Sequence, residues 1–300
     1  MTEHLCRVSP EIELCYETFG DPADPTALLV MGLATQMIAW HDDFCEELAG
    51  RGFHVVRFDN RDVGRSTHVK GAPPTLLQLV RRDKRAAHYL LSDMADDAAG
   101  LLRELDLAPA HVIGASMGGM IAQTLAARHP ESVSSLTSIM STTGNRWVGQ
   151  PALRIYPLFA RRPAQTRDAA IKRAEMMFKA IGSRGLPRDD ESIRDMAARS
   201  WDRDPDRAGP GRQLAAVLAS GDRTPELRRI TAPTLVIHGT DDPLIRPSGA
   251  KATAKAIPNA ELLMIEGMGH DLPRAAWPQI IDGIAATAAR AEPARSPAGA

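Results

Sequence analysis

Ser116 sits between two glycines in Gly114-Ala115-Ser116-Met117-Gly118, where the apolar run His111-Val112-Ile113 gives way to the helical pattern Met120 to Ala127. A serine on a sharp strand-to-helix turn projects its hydroxyl from the edge of a sheet, and glycines on either side let strand and helix pass closely. The chemistry that suits this placement is nucleophilic attack. A serine hydroxyl is a weak nucleophile at neutral pH, so it needs a histidine within hydrogen-bond reach and a carboxylate to fix that imidazole. Of the nine histidines, His270 stands out because it ends the glycine-rich loop Glu266-Gly267-Met268-Gly269-His270 after the apolar run Leu262 to Ile265. His41, His54, His68, His88, His129 and His238 fall on predicted helices, strands or elsewhere and read as structural or solvated. The acid is expected after the strand Thr234 to Ile237, in His238-Gly239-Thr240-Asp241-Asp242-Pro243, where two aspartates compete.

Charge that develops on an attacked carbonyl needs two backbone N–H donors, and losing one costs about 10²–10³ in rate. Met117, directly after the serine at a helix N-terminus, offers the first. Leu33, in the turn Met31-Gly32-Leu33-Ala34 after the run Ala27 to Met31, offers the second. Gln36, Met37 and Trp40 follow that turn and are expected to line a substrate pocket, although their spacing also fits a buried helix face.

These residues need a scaffold of strands. Glu11 to Phe19 alternates apolar and polar residues, as a half-exposed edge strand does. Ala27–Met31, Val55–Phe58, His111–Ile113, Val133–Met140, Thr234–Ile237 and Leu262–Ile265 are continuous apolar runs suited to strands buried on both faces. Helical patterns separate most of them, one running from Ser92, read as its N-cap, to Leu102. Alternating strands and helices imply a parallel sheet with crossover helices.

The alternation stops between Thr142 and Ile230, where helical stretches at Asp168–Ile181, Asp190–Trp201 and Gly211–Ala219 lie between Gly and Pro residues. We read residues 142–230 as a helical cap inserted into a core formed by 1–141 and 231–290, with 291–300 a disordered tail. The inserted segment carries 18 Lys/Arg and 11 Asp/Glu, a net +7 that leaves −8 on the rest of the chain. Opposite charges helping two lobes associate is the favoured reading, ahead of steering an anionic substrate.

Composition narrows the rest. Apolar residues at 44%, charged residues at 24% and a net charge of −1 describe an ordinary globular chain and imply no nucleic-acid partner. Three cysteines without Cys-x-x-Cys spacing read as reduced thiols. No stretch nears the roughly 18 apolar residues of a membrane span, and the start lacks a signal-peptide pattern, so a cytoplasmic protein is expected. The chemistry calls for no metal and no organic cofactor. The oligomeric state stays open, a homodimer included.

On these residues the chain resembles the α/β-hydrolase superfamily, and within it bacterial carboxylesterases similar to the anthracycline (aclacinomycin) methylesterases. The matching segments are Phe19 to Pro25, Val30-Met31-Gly32, Arg57 to Asp62, Gly114 to Gly119, Pro233 to Pro243 and Gly267 to His270. The resemblance implies an eight-stranded, mostly parallel sheet with flanking helices and a cap, and a triad of Ser116, Asp242 and His270. The superfamily's Gly-x-x-Asp spacing selects Asp242 over Asp241. Many relatives carry His-Gly where this chain has Met31-Gly32, a change that leaves a backbone donor at Leu33 untouched. Asp59-Asn60-Arg61-Asp62-Val63-Gly64-Arg65-Ser66 matches a segment common in the superfamily and is read as structural, with Arg61 tying the loop through carboxylates. The resemblance does not extend over the cap.

The expected activity is that of a serine carboxylesterase working on a small-molecule ester through an acyl-enzyme. Ser116 argues against epoxide hydrolases and dehalogenases, whose resemblance requires Asp at that turn. Thioesterases remain open, as do acyltransferases that share Gly-x-Ser-Met-Gly-Gly-Met and Gly-His-Asp, here Gly114 to Met120 and Gly269-His270-Asp271. A non-enzymatic small-molecule receptor on the same fold is the alternative from another class.

Overall fold

The computed structural model describes residues 2–81, 84–159, 164–204, 206 and 208–291. Its strands are β1 (His4–Arg7), β2 (Glu13–Phe19), β3 (Thr26–Val30), β4 (His54–Phe58), β5 (Ala110–Ala115), β6 (Val133–Ile139), β7 (Thr234–Gly239) and β8 (Glu261–Ile265). They form one sheet in the order β1-β2-β4-β3-β5-β6-β7-β8. β2 runs antiparallel to both neighbours, and the pairs from β4 through β8 are parallel. This is the eight-stranded α/β sheet that the resemblance implies. β1 was not anticipated, because only Cys6 of its four residues is buried and the segment has no apolar run.

The main helices are α1 (Asp42–Ala49), α2 (Leu91–Glu104), α3 (Met117–Arg128), α4 (Arg167–Ile181), α5 (Asp190–Arg203), α6 (Gly209–Ser220), α7 (Ser248–Ala256) and α8 (Trp277–Ala289). Every residue of β3 is buried, and its side chains alternate between two cores. Leu28 and Val30 join Met94, Leu101 and Ile121 from α2 and α3, whereas Ala27 and Leu29 join Phe44, Leu48, Ile280 and Ile284 from α1 and α8. Helices thus cover both faces, which is why the central strands read as unbroken apolar runs. Each fully buried aliphatic side chain contributes about 1.5–3 kcal/mol.

Helix α2 corrects one expectation. It begins at Leu91, so Ser92 lies inside the first turn and is not its cap. The Leu90 N–H donates to Asp93 Oδ2 at 2.7 Å, and the Leu91 N–H donates to Ser220 Oγ, 2.9 Å away at the end of α6. The helix start is held by a residue far along the chain, which local sequence does not reveal.

Between β6 and β7 the described residues form helices and turns only. α4 and α5 start at side-chain caps, Thr166 accepting from the Ala169 N–H at 3.2 Å and Asp189 from the Ser192 N–H at 2.9 Å. The two helices pack on one another. Arginines tie this segment to the loop after β4. Arg203 donates to Asp59 at 2.9 Å and to Glu3 at 2.8 Å, and Arg212 donates to Asp62 at 2.7 and 2.9 Å. Burial opposes the charge on Arg203, yet Asp59 and Glu3 raise its pKa above the usual value. Gln213 adds a bond from its side-chain amide to the Arg61 carbonyl at 2.8 Å. The opposite charges of the two regions therefore meet in specific ion pairs. Arg61 grips Asp97 through two bonds of 2.6 Å, as a structural role requires.

The segment's far end is anchored by Arg223. Its guanidinium donates to the carbonyls of Met120 and Thr142 and to Gln123 Oε1, at 2.8, 2.6 and 2.9 Å. Burial lowers its pKa to about 10. The expected tail lies outside the described residues apart from Ala291.

Candidate active site

The strand order reverses at β3, which has β4 on one side and β5 on the other. In such sheets the crevice beyond the strands' C-terminal ends receives ligands at the point of reversal. Val30 pairs with Gly114, so the turn after β3 and the turn after β5 emerge side by side.

Ser116 alone separates β5 from α3, with φ +57° and ψ −119°. A non-glycine residue with positive φ stores of order 1–3 kcal/mol of strain and persists only where its surroundings hold it. Three bonds do so. The Ser116 N–H donates to the Ile139 carbonyl at 2.9 Å, and its own carbonyl accepts from Ser141 Oγ at 2.8 Å and from the Met120 N–H at 3.2 Å. Glycine is required on both sides of the turn. A Cβ on Gly114 would lie 2.2 Å from the Gly118 carbonyl oxygen, and one on Gly118 would lie 2.0 Å from that of Val30.

β8 delivers the histidine and β7 the acid. His270 Nε2 lies 2.9 Å from Ser116 Oγ, and Nδ1 lies 2.7 Å from Asp242 Oδ2. Asp242 is 2% exposed, and its Oδ1 accepts from the N–H groups of Leu244 and Ile245 at 2.8 and 2.9 Å. An ionised carboxylate only accepts, so it fixes the proton on Nδ1 and leaves Nε2 to accept from the serine hydroxyl. Asp241 is exposed and turned away, its N–H donating to the Met268 carbonyl at 3.0 Å. The structure thus brings Ser116, Asp242 and His270 together and leaves Asp241 out.

His238, read from sequence as structural or solvated, is fully buried beside the acid. Its Nε2 lies 2.7 Å from the Ile245 carbonyl oxygen and 3.4 Å from Asp242 Oδ2. Burial lowers its pKa. A neutral ring donating to Ile245 satisfies this geometry.

Among the described residues, neither the Leu33 nor the Met117 N–H donates to a protein acceptor. The next amide, Ala34, is taken by Gln213 Oε1 at 2.9 Å. Gln36, Met37 and Trp40, expected to line a pocket, are all buried. Gln36 donates to the Ser200 carbonyl at 2.8 Å and accepts from Arg203, tying α5 to the body. Met37 packs with Cys15 and Ile38, and Trp40 stacks on Phe44 in the core.

Asp62, His68 and Asp206 form a cluster that could hold a metal ion by distance. Arg212 donates to both of its carboxylates, so a cation already occupies their charge.

Residues 25–273 match the family described as alpha/beta hydrolase fold, and the chain belongs to that family. It is a hydrolytic enzyme. Rhodomycin D methylesterase DauP of Streptomyces sp. (strain C5) is 30% identical over 297 residues, covering 92% of this chain and 95% of that protein. Rhodomycin D methylesterase DnrP of Streptomyces peucetius is 29% identical over 295 residues with the same coverage, 92% and 95%. A hydrolase from Pseudomonas aeruginosa PA01 shares the fold with a TM-score of 0.70 at 22% identity, over 96% of this chain and 98% of that one. No helix among the described residues is long and apolar enough to cross a membrane.

Proposed function

We propose that this hydrolase is a serine carboxylesterase. The observation that carries the reading is the pair of distances on His270, 2.9 Å to Ser116 Oγ and 2.7 Å to Asp242. Ser116 Oγ attacks the ester carbonyl carbon as its proton passes to His270 Nε2. The tetrahedral oxyanion is held by the N–H groups of Leu33 and Met117, the latter at the positive end of α3. His270 returns the proton to the departing alkoxide, which leaves as an alcohol and yields an acyl-enzyme. Water then attacks the acyl carbon with His270 as base, and the carboxylic acid is released with Ser116 restored. Asp242 orients His270 and stabilises the imidazolium formed at each step.

Residues 142–230 act as a cap over the core formed by 1–141 and 231–290, closing the crevice above Ser116. The two methylesterases supply the first substrate class to try, carboxylic methyl esters. A cytoplasmic location is part of the same reading. Its support is that Cys6, Cys15 and Cys45 are free and buried, with burial raising the thiols of Cys15 and Cys45 to about 12.

The test is steady-state turnover of methyl and short p-nitrophenyl esters by the purified chain, with added alcohols and a matched thioester as competitors. Free acid as the main product supports the esterase. Transfer to the alcohol indicates an acyltransferase, preference for the thioester a thioesterase, and a single burst with a stable adduct a receptor.

A further inference from the structure

A second network of bonds encloses the histidine loop and takes no part in the triad. After β8 the chain turns through Gly267, φ +72°, and reaches His270 without regular structure. The end of α4 and the residues after it hold this loop in place. The His270 N–H donates to the Ile181 carbonyl at 2.8 Å, and the Gly185 N–H donates to the Gly267 carbonyl at 3.1 Å. Between these contacts lies Ser183, 9% exposed. Its Oγ accepts from the Gly269 N–H at 2.9 Å and donates to Asp271 Oδ1 at 2.6 Å. The Ser183 N–H donates to that same oxygen at 2.9 Å.

From these contacts we infer that Ser183 and Asp271 act as one positioning unit for His270, locking the imidazole between Asp242 and Ser116 from the side of the inserted helices. The inference rests on the triad reading above. The direction of each bond is fixed by chemistry. A backbone N–H only donates and an ionised carboxylate only accepts, so a hydroxyl between them must accept from residue 269 and donate to residue 271. One oxygen thereby ties together the two neighbours of His270, and the backbone of His270 itself is bound two residues earlier on the same strand of chain. Removing the hydroxyl breaks both of its bonds, leaves the Gly269 N–H unpaired and leaves Asp271 held to residue 183 by the backbone N–H alone. Asp271 is half-buried, and burial raises its pKa despite the bonds from Ser183. Among the described residues, Asp242, His238 and Asp271 are titratable groups near the imidazole, and Asp271 is bonded to the inserted segment through Ser183.

The experiment compares Ser183→Ala, Ser183→Thr, Asp271→Ala, Asp271→Asn and the Ser183→Ala/Asp271→Ala double variant. Small misplacement of a catalytic group costs up to about 10² in rate, so Ser183→Ala and Asp271→Ala are each expected to lower kcat roughly tenfold or more with KM within about twofold. Because the pair works as a unit, the double variant should lose no more than either single one. Ser183→Thr and Asp271→Asn keep the hydroxyl and the acceptor oxygen and should recover most of the loss. The second readout is the low-field proton resonance of His270 Nδ1–H, which needs no substrate. Its exchange with water is expected to quicken in both alanine variants and to return toward wild type in the conservative ones. Additive losses, no recovery by Thr or Asn, or an unchanged resonance in both alanine variants would overturn the inference. If Ser183→Ala does not fold, the two Asp271 variants make the same comparison. A wild-type chain without ester turnover would sink the esterase reading alone, since the resonance would still report on the positioning.

Discussion

Asp242 holds His270 with one oxygen and is itself held by the other. Its Oδ2 meets Nδ1 at 2.7 Å, and its Oδ1 accepts the N–H groups of Leu244 and Ile245. A carboxylate pinned in this way cannot rotate to release the imidazole. The turn His238 to Ile245 thus holds the carboxylate against the imidazole.

This hold separates two adjacent acids by function. Asp242→Asn is expected to lower kcat by roughly 10³–10⁴, because an amide in that place favours the wrong imidazole tautomer. Asp241→Asn, on an exposed side chain, should keep kcat within about twofold. Comparing ester turnover of the two variants checks this, and equal losses would contradict it.

The tight turn at Ser116 predicts a stability effect. A Cβ at Gly118 would sit 2.0 Å from the Val30 carbonyl oxygen and 2.7 Å from that of Met31, both backbone atoms that cannot swing aside. Gly118→Ala should therefore destabilise by about 3 kcal/mol or more, at the upper end of overpacking costs. Thermal unfolding reads this directly, and a variant as stable as wild type would show that the contact is not made.

The ion pairs between α5 and the body differ in burial from those on the surface. Arg203→Ala leaves Asp59, 0% exposed, without its charged partner and should cost about 3–5 kcal/mol in urea unfolding. Arg7, exposed and 3.5 Å from Glu13, should cost less than about 1 kcal/mol on the same change. Similar midpoints for the two variants would remove the claim that Arg203 anchors the inserted helices.

Acid sensitivity follows from two buried histidines. Burial holds His54 and His238 below the ordinary value of 6.5. The unfolded chain then binds more protons than the folded one as pH falls, so their contribution is intact above 6.5 and is lost below it. Asp271, raised by burial, acts in the opposite sense, with protonation at lower pH favouring the folded state. The fall in Tm between about pH 7.5 and about pH 5.5 should be smaller in His54→Gln than in wild type. An identical fall in both would contradict the assignment.

Much of this arrangement was legible in the chain because it is encoded locally. Six apolar runs and one alternating segment marked seven strands within a few residues, and the three helices read between residues 142 and 230 appear where Gly and Pro bounded them. Ser116 and His270 could be singled out because glycine spacing and position after a strand are local signals. Asp242 and Asp241 could not be separated by residue chemistry alone, since only the fold decides which carboxylate faces His270. Contacts between distant segments left no such trace. Ser220 capping α2, Arg203 reaching Asp59 and Ser183 bracketing His270 join residues 129, 144 and 88 positions or so apart. For Gln36, Met37 and Trp40 the local spacing is the same for a pocket wall and a packed core.

The central claim is that Ser116 is the nucleophile. The measurement that tests it most directly is peptide mass mapping after treating the folded chain with a fluorophosphonate, alongside ester turnover of the same sample. We predict one phosphonyl group, on Ser116, formed in step with loss of turnover, and none on Ser116→Ala, which should also be inactive. Labelling at another residue, or Ser116→Ala that still turns over ester, would contradict the account.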